Sequence, residues 1–284
     1  MPDIRPAAPI GSLDPRLPPV LPIAPPKSWP TRHGPKPPTK AQTYTATFNE
    51  IIQPTPDVRL FRMTLDNYSE IMPFLAGQFI QMISPVHEKA HPEKIKKIIR
   101  SYSIASAPEE KRFLEFCIKL VLDGAFTPTL WNFREGDKIE IRGPYGKFVV
   151  PEPVDHDLVF IAAGTGIAPF WGMIGHLLKA GVQRDIVLLF GVRYEDDVLY
   201  DKEFKQLEKE HPNFKAVFTL SRPRRSAEWW GETGYVQSLL EKYVKNPLHT
   251  KAYICGLTPM IEQSVAQLEK IGFTPDRIHY ERYD

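Results

Sequence analysis

The sequence predicts a two-domain protein in which a small antiparallel β-barrel precedes an α/β domain built on a parallel sheet. Its 284 residues suit two domains, because a domain usually holds about 100–200 residues. Short alternating strands separated by turns fill residues 41–153, which is typical of a barrel. Continuous apolar strands alternate with helical segments over residues 154–284, and that rhythm predicts a parallel sheet covered on both faces.

Composition narrows the class of protein further. Hydrophobic residues make up 42% and charged residues 25%, the balance of a globular protein in water. A net charge of +2 argues against a nucleic-acid-binding protein, and no apolar run is long enough to predict a membrane span. The two cysteines, Cys117 and Cys255, are too few for a four-cysteine cluster and indicate a reducing compartment. We therefore expect a cytoplasmic protein, and the histidines, including His87 and His91, predict no metal site.

Residues 1–40 form a proline-rich arm with a composition of its own. It holds 13 of the 29 prolines and carries a charge of +4, whereas the remaining residues carry −2. Proline fixes φ and lacks an N–H donor, so the arm is predicted to be extended or polyproline-II-like. It could be a solvated tail, a strap on the folded body or a ligand for a proline-binding module, and its role stays open.

The barrel half is predicted to contain six strands and one short helix. The strands are expected at Thr43–Phe48, Val58–Leu65, Gln78–Ile83, Ser101–Ile104, Leu114–Leu120 and Lys138–Arg142. A helix is expected at Thr127–Phe133, and the sequence Gly143-Pro144-Tyr145-Gly146 predicts a turn.

The second half is predicted to alternate strands and helices. The strands are expected at Leu158–Ala162, Ile186–Phe190, Ala216–Leu220, Lys251–Ile254 and Arg277–Tyr280. The helices are expected at Ile167–Lys179, Lys202–Glu210, Val236–Lys242 and Met260–Lys270.

A glycine-rich loop joins the first of these strands to its helix. Gly164-Thr165-Gly166 follows the apolar strand, and Pro169 suits the first helical turn, where a missing N–H costs nothing. Glycines let a ligand approach the backbone, and a helix N-terminus attracts a pyrophosphate. Because proline stands where the dinucleotide fingerprint Gly-x-Gly-x-x-Gly has its third glycine, the loop disfavours a Rossmann dehydrogenase.

Further motifs accompany this loop along the chain. They are Arg100-Ser101-Tyr102-Ser103, Cys117-Ile118-Lys119, Gly124-Ala125-Phe126-Thr127, Ser221-Arg222, Gly234-Tyr235-Val236-Gln237, Cys255-Gly256 with Met260, and Glu281-Arg282-Tyr283-Asp284. In this order and spacing, residues 42–284 resemble the ferredoxin–NADP reductase family. The resemblance implies that the barrel is an FAD-binding domain and that the α/β domain binds NAD(P).

The resemblance implies a role for each flavin-site residue. Tyr102 would stack on the isoalloxazine ring and Arg100 would pair with the FAD pyrophosphate. Thr127 would add a hydroxyl and N–H groups to the phosphates, and Ser103 would lie near flavin N5. The remaining residues implied at the flavin site are Cys117, Lys119 and Gly124.

The resemblance also implies a catalytic set made of Ser103, Cys255, Glu281 and Tyr283. Tyr283 would cover the flavin face on which nicotinamide must stack, and Glu281 would be the active-site carboxylate. Cys255 would lie beside the path of the hydride. Three alternatives stay open: Tyr283 is a frayed terminal residue, and Cys255 and Cys117 are buried small hydrophobes. Asp284 is one residue more than the plant pattern has.

The nucleotide site would use residues from several strand ends. Ser221 and Arg222 suit a 2′-phosphate, so NADP(H) is favoured over NAD(H). Thr233 and Gly234 depart from the plant pattern, and Trp230-Gly231 resembles NADH-using relatives. The other residues implied at this site are Gly164, Thr165, Gly166, Pro169, Tyr235, Gln237, Cys255, Gly256 and Met260.

The leading functional hypothesis is an FAD-dependent oxidoreductase that passes electrons between NAD(P)H and a one-electron protein carrier. A basic segment suggests a docking face for a small acidic carrier such as ferredoxin or flavodoxin; it contains Lys89, Lys94, Lys96, Lys97 and Arg100. One alternative is an NADH-dependent reductase component of an oxygenase or other multi-subunit redox complex. The other is a non-catalytic interaction subunit stabilised by a nucleotide.

Overall fold

The computed structural model describes residues 40–87, 95–224 and 228–283, with Val86 and His87 described by their backbone alone. The predicted extended arm lies outside these residues except for Lys40, and so do His91, Lys89 and Lys94. Within them, the chain forms an antiparallel six-stranded sheet followed by a parallel six-stranded sheet with helices on both faces. The predicted two-domain fold class is confirmed.

The first sheet is a half-barrel with its own hydrophobic core. Its elements are β1 (Gln42–Thr55), β2 (Val58–Leu65), β3 (Phe79–His87), β4 (Ile95–Ser103), β5 (Leu114–Lys119), α1 (Thr127–Leu130) and β6 (Lys138–Tyr145). The strand order is β4-β3-β6-β1-β2-β5, with antiparallel pairing throughout. Alternate side chains of β2 point inward, where Phe61 and Met63 pack against Phe48 and Phe116.

Several sequence-based expectations for this sheet are wrong. Gly143-Pro144-Tyr145 does not form a turn: Gly143 pairs with Gln42 of β1 and Tyr145 pairs with Phe79 of β3, so β6 continues through these residues. The helix predicted at Thr127–Phe133 ends at Leu130. Strand β1 also extends to Thr55, beyond the predicted Phe48, because an irregularity after Phe48 shifts its register and lets it keep pairing with β2.

The strands of the second sheet all run in the same direction, so their carboxyl ends lie at one edge. Its elements are β7 (Asp157–Ala163), α2 (Ala168–Lys179), β8 (Ile186–Val192), α3 (Asp201–Glu210), β9 (Phe214–Leu220), β10 (Glu232–Thr233), α4 (Leu240–Tyr243), β11 (Thr250–Gly256), α5 (Thr258–Lys270) and β12 (Ile278–Arg282). The order is β10-β9-β8-β7-β11-β12, all parallel. The carboxyl ends of parallel strands meet at one edge, where ligands of such sheets bind.

Two of the predicted helices begin later in the chain than expected. The glycine loop is a 3₁₀ turn over Gly164–Ile167, and α2 begins only at Ala168, with Pro169 in its first turn as expected. The helix expected at Val236–Lys242 is a 3₁₀ turn over Val236–Leu239 followed by the short α4. Tighter turns of this kind are common at helix ends.

The two domains are joined by packing and by polar contacts along α2. Gly172 faces the carbonyl oxygen of Ser106 so closely that an added Cβ would lie 2.8 Å from it. One turn later, Nδ1 of His176 lies 2.6 Å from Glu109 of the barrel, and its Nε2 lies 2.8 Å from Glu152 of the connecting segment. The imidazole therefore bridges both sides of the interface.

We predict that His176 makes the stability of the interface depend on pH. Burial alone would lower the pKa of His176. The two carboxylates together outweigh this effect, so the pKa is raised. A raised pKa in the folded state means that the stabilisation is complete below the unfolded pKa and is lost as pH rises through the folded pKa. In His176→Gln, the loss of unfolding free energy should be larger at roughly pH 6 than at roughly pH 9, as measured by urea denaturation.

His211→Gln is the matched control, because His211 lies at the end of α3 rather than at this interface. It leaves the contacts of His176 intact and should cost less free energy of unfolding than His176→Gln at roughly pH 6. A loss in His176→Gln that stays constant, or grows, between the two pH values would contradict the charged bridge.

Candidate active site between the two domains

The end of barrel strand β4 meets the ends of β11 and β12. Ser103 closes β4, and its Oγ donates a hydrogen bond of 3.1 Å to Oε1 of Glu281 on β12. Cys255 on β11 is the direct strand partner of Glu281. Sequence reasoning grouped these residues, and the structure brings them together across the domain boundary, although their catalytic roles stay predictions.

Glu281 has an unusual electrostatic environment for a carboxyl group. Burial raises its pKa to about 7, and the hydrogen bond from Ser103 opposes this effect only in part. Near neutral pH the group is therefore divided between its protonated and ionised forms. A carboxyl group in this state can hold or release a proton at physiological pH, as general acid–base chemistry requires.

Cys255 is fully buried at the carboxyl end of β11. Burial raises the pKa of its thiol well above the usual value, and the nearby Glu281 carboxylate adds to the rise. The side chain is therefore a neutral thiol, which is a poor nucleophile. It packs into the core of the α/β domain, next to Glu281, where the two domains meet.

Tyr283 follows β12 and folds back over the site. Its backbone N–H donates to the carbonyl of Gly256 (3.0 Å), and its ring packs against the α/β core. Its hydroxyl oxygen is buried and has no hydrogen-bond partner among the described residues. Burial raises the pKa of this hydroxyl, which faces Cys255, Glu281 and Ser103. Tyr283 therefore lies among Ser103, Cys255 and Glu281, and its role toward a flavin stays a prediction.

The barrel side of the site is an exposed strand. Arg100 is exposed on β4 and donates to the carbonyl of Ile99 (2.8 Å). Two residues along, Tyr102 is half-buried against Phe126, with ring centroids 5.9 Å apart, and burial raises the pKa of its hydroxyl. An aromatic face and an exposed guanidinium on one strand fit a flavin and its pyrophosphate.

Other residues implied at the flavin site have partners of their own. The Thr127 hydroxyl bonds to the backbone N–H and carbonyl of Val121, which closes the loop that contains Gly124. Lys119 pairs with Asp57 at 2.8 Å. Cys117 packs with the α/β core, whereas Tyr102 packs on the barrel core. The implied role of Cys117 at the flavin site stays a prediction.

The glycine loop lies directly on the end of β11. A Cβ on Gly166 would lie 2.2 Å from the carbonyl oxygen of Cys255, so only glycine fits this approach. Gly164 has a positive φ of 55° and is exposed, next to the half-exposed Thr165. The loop therefore presents backbone to the crevice beside Cys255, as a nucleotide-binding loop would.

Positive charge gathers at the carboxyl ends of β8 and β9 around Tyr194, a residue that the sequence analysis did not single out. Arg224 lies over the Tyr194 ring, 3.5 Å from its centroid, and hydrogen bonding by Arg224 and Arg222 lowers the pKa of the Tyr194 hydroxyl. Ser221 bonds to the carbonyl of Val192 at 3.3 Å. Tyr194 follows β8, so its position at a strand end was the signal that sequence analysis could have used.

The remaining residues implied at the nucleotide site differ in their exposure and in their hydrogen-bond partners. Tyr235 is exposed, whereas the amide of Gln237 bonds to Gln263 of α5. Met260 lies in the first turn of α5, next to Gly256, and its sulfur accepts a bond from Ser264 at 3.4 Å. Their roles toward a nucleotide stay predictions.

Two other kinds of feature, a metal-binding cluster and a membrane-spanning helix, are absent from the described part of the chain. Residues 40–87, 95–224 and 228–283 contain no cluster of three His, Cys, Asp or Glu side chains that could hold a metal ion. Among the same residues, no helix combines the length and the apolar character needed to cross a membrane.

Two family models match this chain, one in each half. Residues 45–150 match the family described as the oxidoreductase FAD-binding domain, and residues 160–266 match the oxidoreductase NAD-binding domain. The first match includes β4 and the second includes the glycine loop and Cys255.

Two curated relatives are similar over most of the chain. The phenol hydroxylase P5 protein of Acinetobacter pittii is 35% identical over 85% of this chain and 66% of its own length. NADH-cytochrome b5 reductase 1 of Dictyostelium discoideum is 31% identical over 78% of this chain and 76% of its own length. The chain thus spans about two thirds of the first relative.

Solved structures share the fold. The cytochrome P450 reductase GcoB of Amycolatopsis is 28% identical, with a TM-score of 0.74 over 85% of this chain and 70% of that one. Ferredoxin–NADP⁺ reductases of known structure have the same fold at lower identity.

We predict that Gly166→Ala destabilises the protein. The new methyl group would overlap the backbone of Cys255, which cannot move aside as a flexible side chain would. Overpacking of this kind costs about 1–3 kcal/mol, to be measured as the free energy of unfolding.

Gly175→Ala on α2 is the control, because its Cβ would meet only the Ala107 methyl group at 3.7 Å. Alanine is also the better helix former, by roughly 0.5–1 kcal/mol. We expect this variant to be at least as stable as the parent, and equal stability of the two variants would contradict the close approach at Gly166.

We also predict a Glu281 carboxyl that titrates near pH 7. Carbon-13 NMR of glutamate carboxyl groups should show one signal with a pKa of about 7 that disappears in Glu281→Gln. Ser103→Ala should raise this pKa further, because the hydrogen bond that favours the ionised form is removed. A Glu281 signal that titrates in the ordinary glutamate range would contradict the described burial.

Proposed function

The chain belongs to the ferredoxin–NADP reductase-like family of FAD- and NAD-binding oxidoreductases, and from this we propose that it transfers hydride from a reduced nicotinamide nucleotide to FAD and passes the electrons to a separate redox protein. One observation carries the proposal: the hydrogen bond between Ser103 and Glu281 assembles residues of both domains at a single crevice. FAD supplies the conversion of a two-electron hydride into single electrons.

The residues of this chain would bind, orient and exclude water. Arg100 and Tyr102 would hold the flavin on β4, and the backbone of the glycine loop would receive the nucleotide pyrophosphate. Cys255 and the Tyr283 ring make the wall of the crevice apolar, which keeps water out. Tyr283 must move aside for nicotinamide to stack, and this requirement lowers the apparent affinity.

The Ser103–Glu281 pair would hold a proton next to the reacting atoms. The Ser103 hydroxyl donates to Oε1 of Glu281, so the second carboxyl oxygen is the one that can carry a proton near neutral pH. Because the pKa of the Glu281 carboxyl group lies near 7, little free energy is needed to protonate or ionise it when the charge of a neighbouring group changes.

We assign NADP(H) as the favoured coenzyme. Arg222 and Arg224 lie at the end of β9 and both interact with Tyr194, so two guanidinium groups converge where the adenosine ribose should lie. One carboxyl oxygen of Glu195 accepts a hydrogen bond from the backbone of Arg224 at 2.9 Å and adds a negative charge nearby. NADH appears in the name of the amoebal relative, so NADH is the competing assignment.

For the electron acceptor we propose a small acidic carrier. Lys96 and Lys97 of the basic segment are exposed on β4, the strand that also carries Arg100 and Tyr102, which are implied to hold FAD. The names of the phenol hydroxylase and cytochrome P450 relatives favour a second candidate, in which this chain is the reductase component of an oxygenase. The carrier and the oxygenase both require a docking surface near the flavin.

We predict that the purified protein, loaded with FAD, is bleached anaerobically by NADPH in a stopped-flow spectrophotometer. NADH should also bleach it, but a higher concentration of NADH than of NADPH should be needed to reach the half-maximal rate. A protein that does not take up FAD, or a yellow protein that neither nucleotide bleaches, would refute the proposed function and favour a non-catalytic subunit.

The coenzyme assignment has a test of its own. Arg222→Gln and Arg224→Gln should each weaken NADPH binding roughly tenfold, because a hydrogen bond to a charged group contributes about 1.5–3 kcal/mol. NADH binding should be unchanged. Arg184→Gln removes an equal charge at the opposite end of β8 and should affect neither nucleotide. An equal loss of NADPH and NADH binding would contradict a 2′-phosphate site.

A further inference from the structure

A tyrosine in an uncommon backbone conformation lies where the two domains meet. Tyr200 precedes α3 with φ of 57°, and Asn67 is the other non-glycine residue with a positive φ in the part of the chain that the structure describes. The left-handed region is disfavoured for a bulky residue and costs about 1–3 kcal/mol. Such a conformation persists where surrounding contacts hold it, so the contacts of Tyr200 are informative.

The ring of Tyr200 is held by the α/β domain. It stacks on Trp171 of α2, with centroids 4.8 Å apart and planes 13° apart, and its edge meets Phe204 of α3. Because α2 begins directly after the glycine loop, the ring is fixed against the helix that carries that loop.

The hydroxyl of Tyr200 crosses to the barrel. It donates a hydrogen bond of 3.1 Å to Oε1 of Glu115 on β5, beside the buried thiol of Cys117. Glu115 is only 2% exposed, and its other carboxyl oxygen accepts from Nε of Arg62 at 2.7 Å. A buried carboxylate needs a donor for each oxygen, so removal of one donor leaves a buried oxygen without its hydrogen bond.

The backbone of Glu115 fixes the segment that follows Ser103. Its N–H donates to Oγ of Ser106 at 3.1 Å, and its carbonyl accepts from the N–H of Ala105 at 2.8 Å. The carbonyls of Ala105 and Ser106 in turn face Gly172 of α2. Glu115 therefore contacts the α/β domain through its side chain and the active-site segment through its backbone.

We propose that Tyr200 and Glu115 form an interdomain latch, a pair of positioning residues that set the distance between Ser103 of the barrel and Glu281 of the α/β domain. The latch rests on the proposed function, since it acts on the geometry of hydride transfer. Neither residue touches the reacting atoms. They act through Ala105 and Ser106 on one side and through α2 on the other.

The expected effect follows from the sensitivity of transfer reactions to distance. A misplacement of about 1 Å can reduce a rate by about 10², so a small change in domain alignment should be measurable. A longer Ser103–Glu281 distance would also weaken the hydrogen bond that lowers the pKa of Glu281. Rate and titration should therefore change together, which a purely stabilising contact would not cause.

Tyr200→Phe is the test variant, because it keeps the ring on Trp171 and removes only the hydroxyl. Tyr243→Phe is its matched control: the Tyr243 hydroxyl donates to Glu232 at 2.5 Å, and both residues belong to the α/β domain. In stopped-flow reduction at saturating NADPH, Tyr200→Phe should lower the limiting rate about threefold to thirtyfold, with little change in nucleotide affinity. The apparent pKa of Glu281 in its pH profile should rise, and Tyr243→Phe should change neither quantity.

A measurement without substrate separates this inference from the proposed function. Amide hydrogen exchange in residues 103–106 should be faster in Tyr200→Phe than in the parent and unchanged in Tyr243→Phe. If NADPH fails to reduce the parent protein, the proposed function fails while the exchange experiment still tests the latch. Unchanged exchange in Tyr200→Phe, or equal losses of rate in both variants, would overturn the latch.

Discussion

The hydrogen bond from Ser103 to Glu281 joins residues 178 positions apart, on two sheets that share no strand. The barrel buries an apolar core of its own, and the α/β core continues onto one side of the barrel, for example at Leu60 and Cys117. Specific contacts add to this shared packing in aligning the domains: Gly172 against Ser106, Tyr200 against Glu115, and His176 against Glu109. The crevice and its chemistry depend on this alignment, because each domain supplies part of the site.

Two glutamates at the interface, Glu115 and Glu281, behave differently because their hydrogen-bond donors differ. Glu115 is buried with Arg62 and Tyr200 as donors, which makes it a fixed structural acceptor. Glu281 accepts a hydrogen bond from the Ser103 hydroxyl, and burial raises the pKa of its carboxyl group to about 7. The donors around Glu115 hold its side chain in place as a structural contact, whereas the weakly compensated Glu281 carboxyl group can exchange a proton near neutral pH. The difference lies in the number and charge of the donors.

Much of the fold could be predicted from local sequence. Strand β2 alternates inward and outward side chains over the predicted Val58–Leu65, and Pro169 lies in the first turn of α2 as expected. The errors occurred where tertiary pairing outweighs local preference: Gly143-Pro144-Tyr145 has the composition of a turn but is held in β6 by β1 and β3. In the site, Ser103, Cys255, Glu281 and Tyr283 were grouped from motifs, whereas Tyr194 has no motif of its own and was missed.

The sequence by itself determined the order of barrel and α/β elements, the glycine loop and the residues at the ends of its strands, because periodicity and turn chemistry are local properties. The tertiary structure alone decided that Cys117 packs with the α/β core, that Tyr200 reaches Glu115 and that the Glu281 carboxyl titrates near 7. Burial and partner distance depend on the whole chain. No local pattern contains them, since the interacting groups come from different domains.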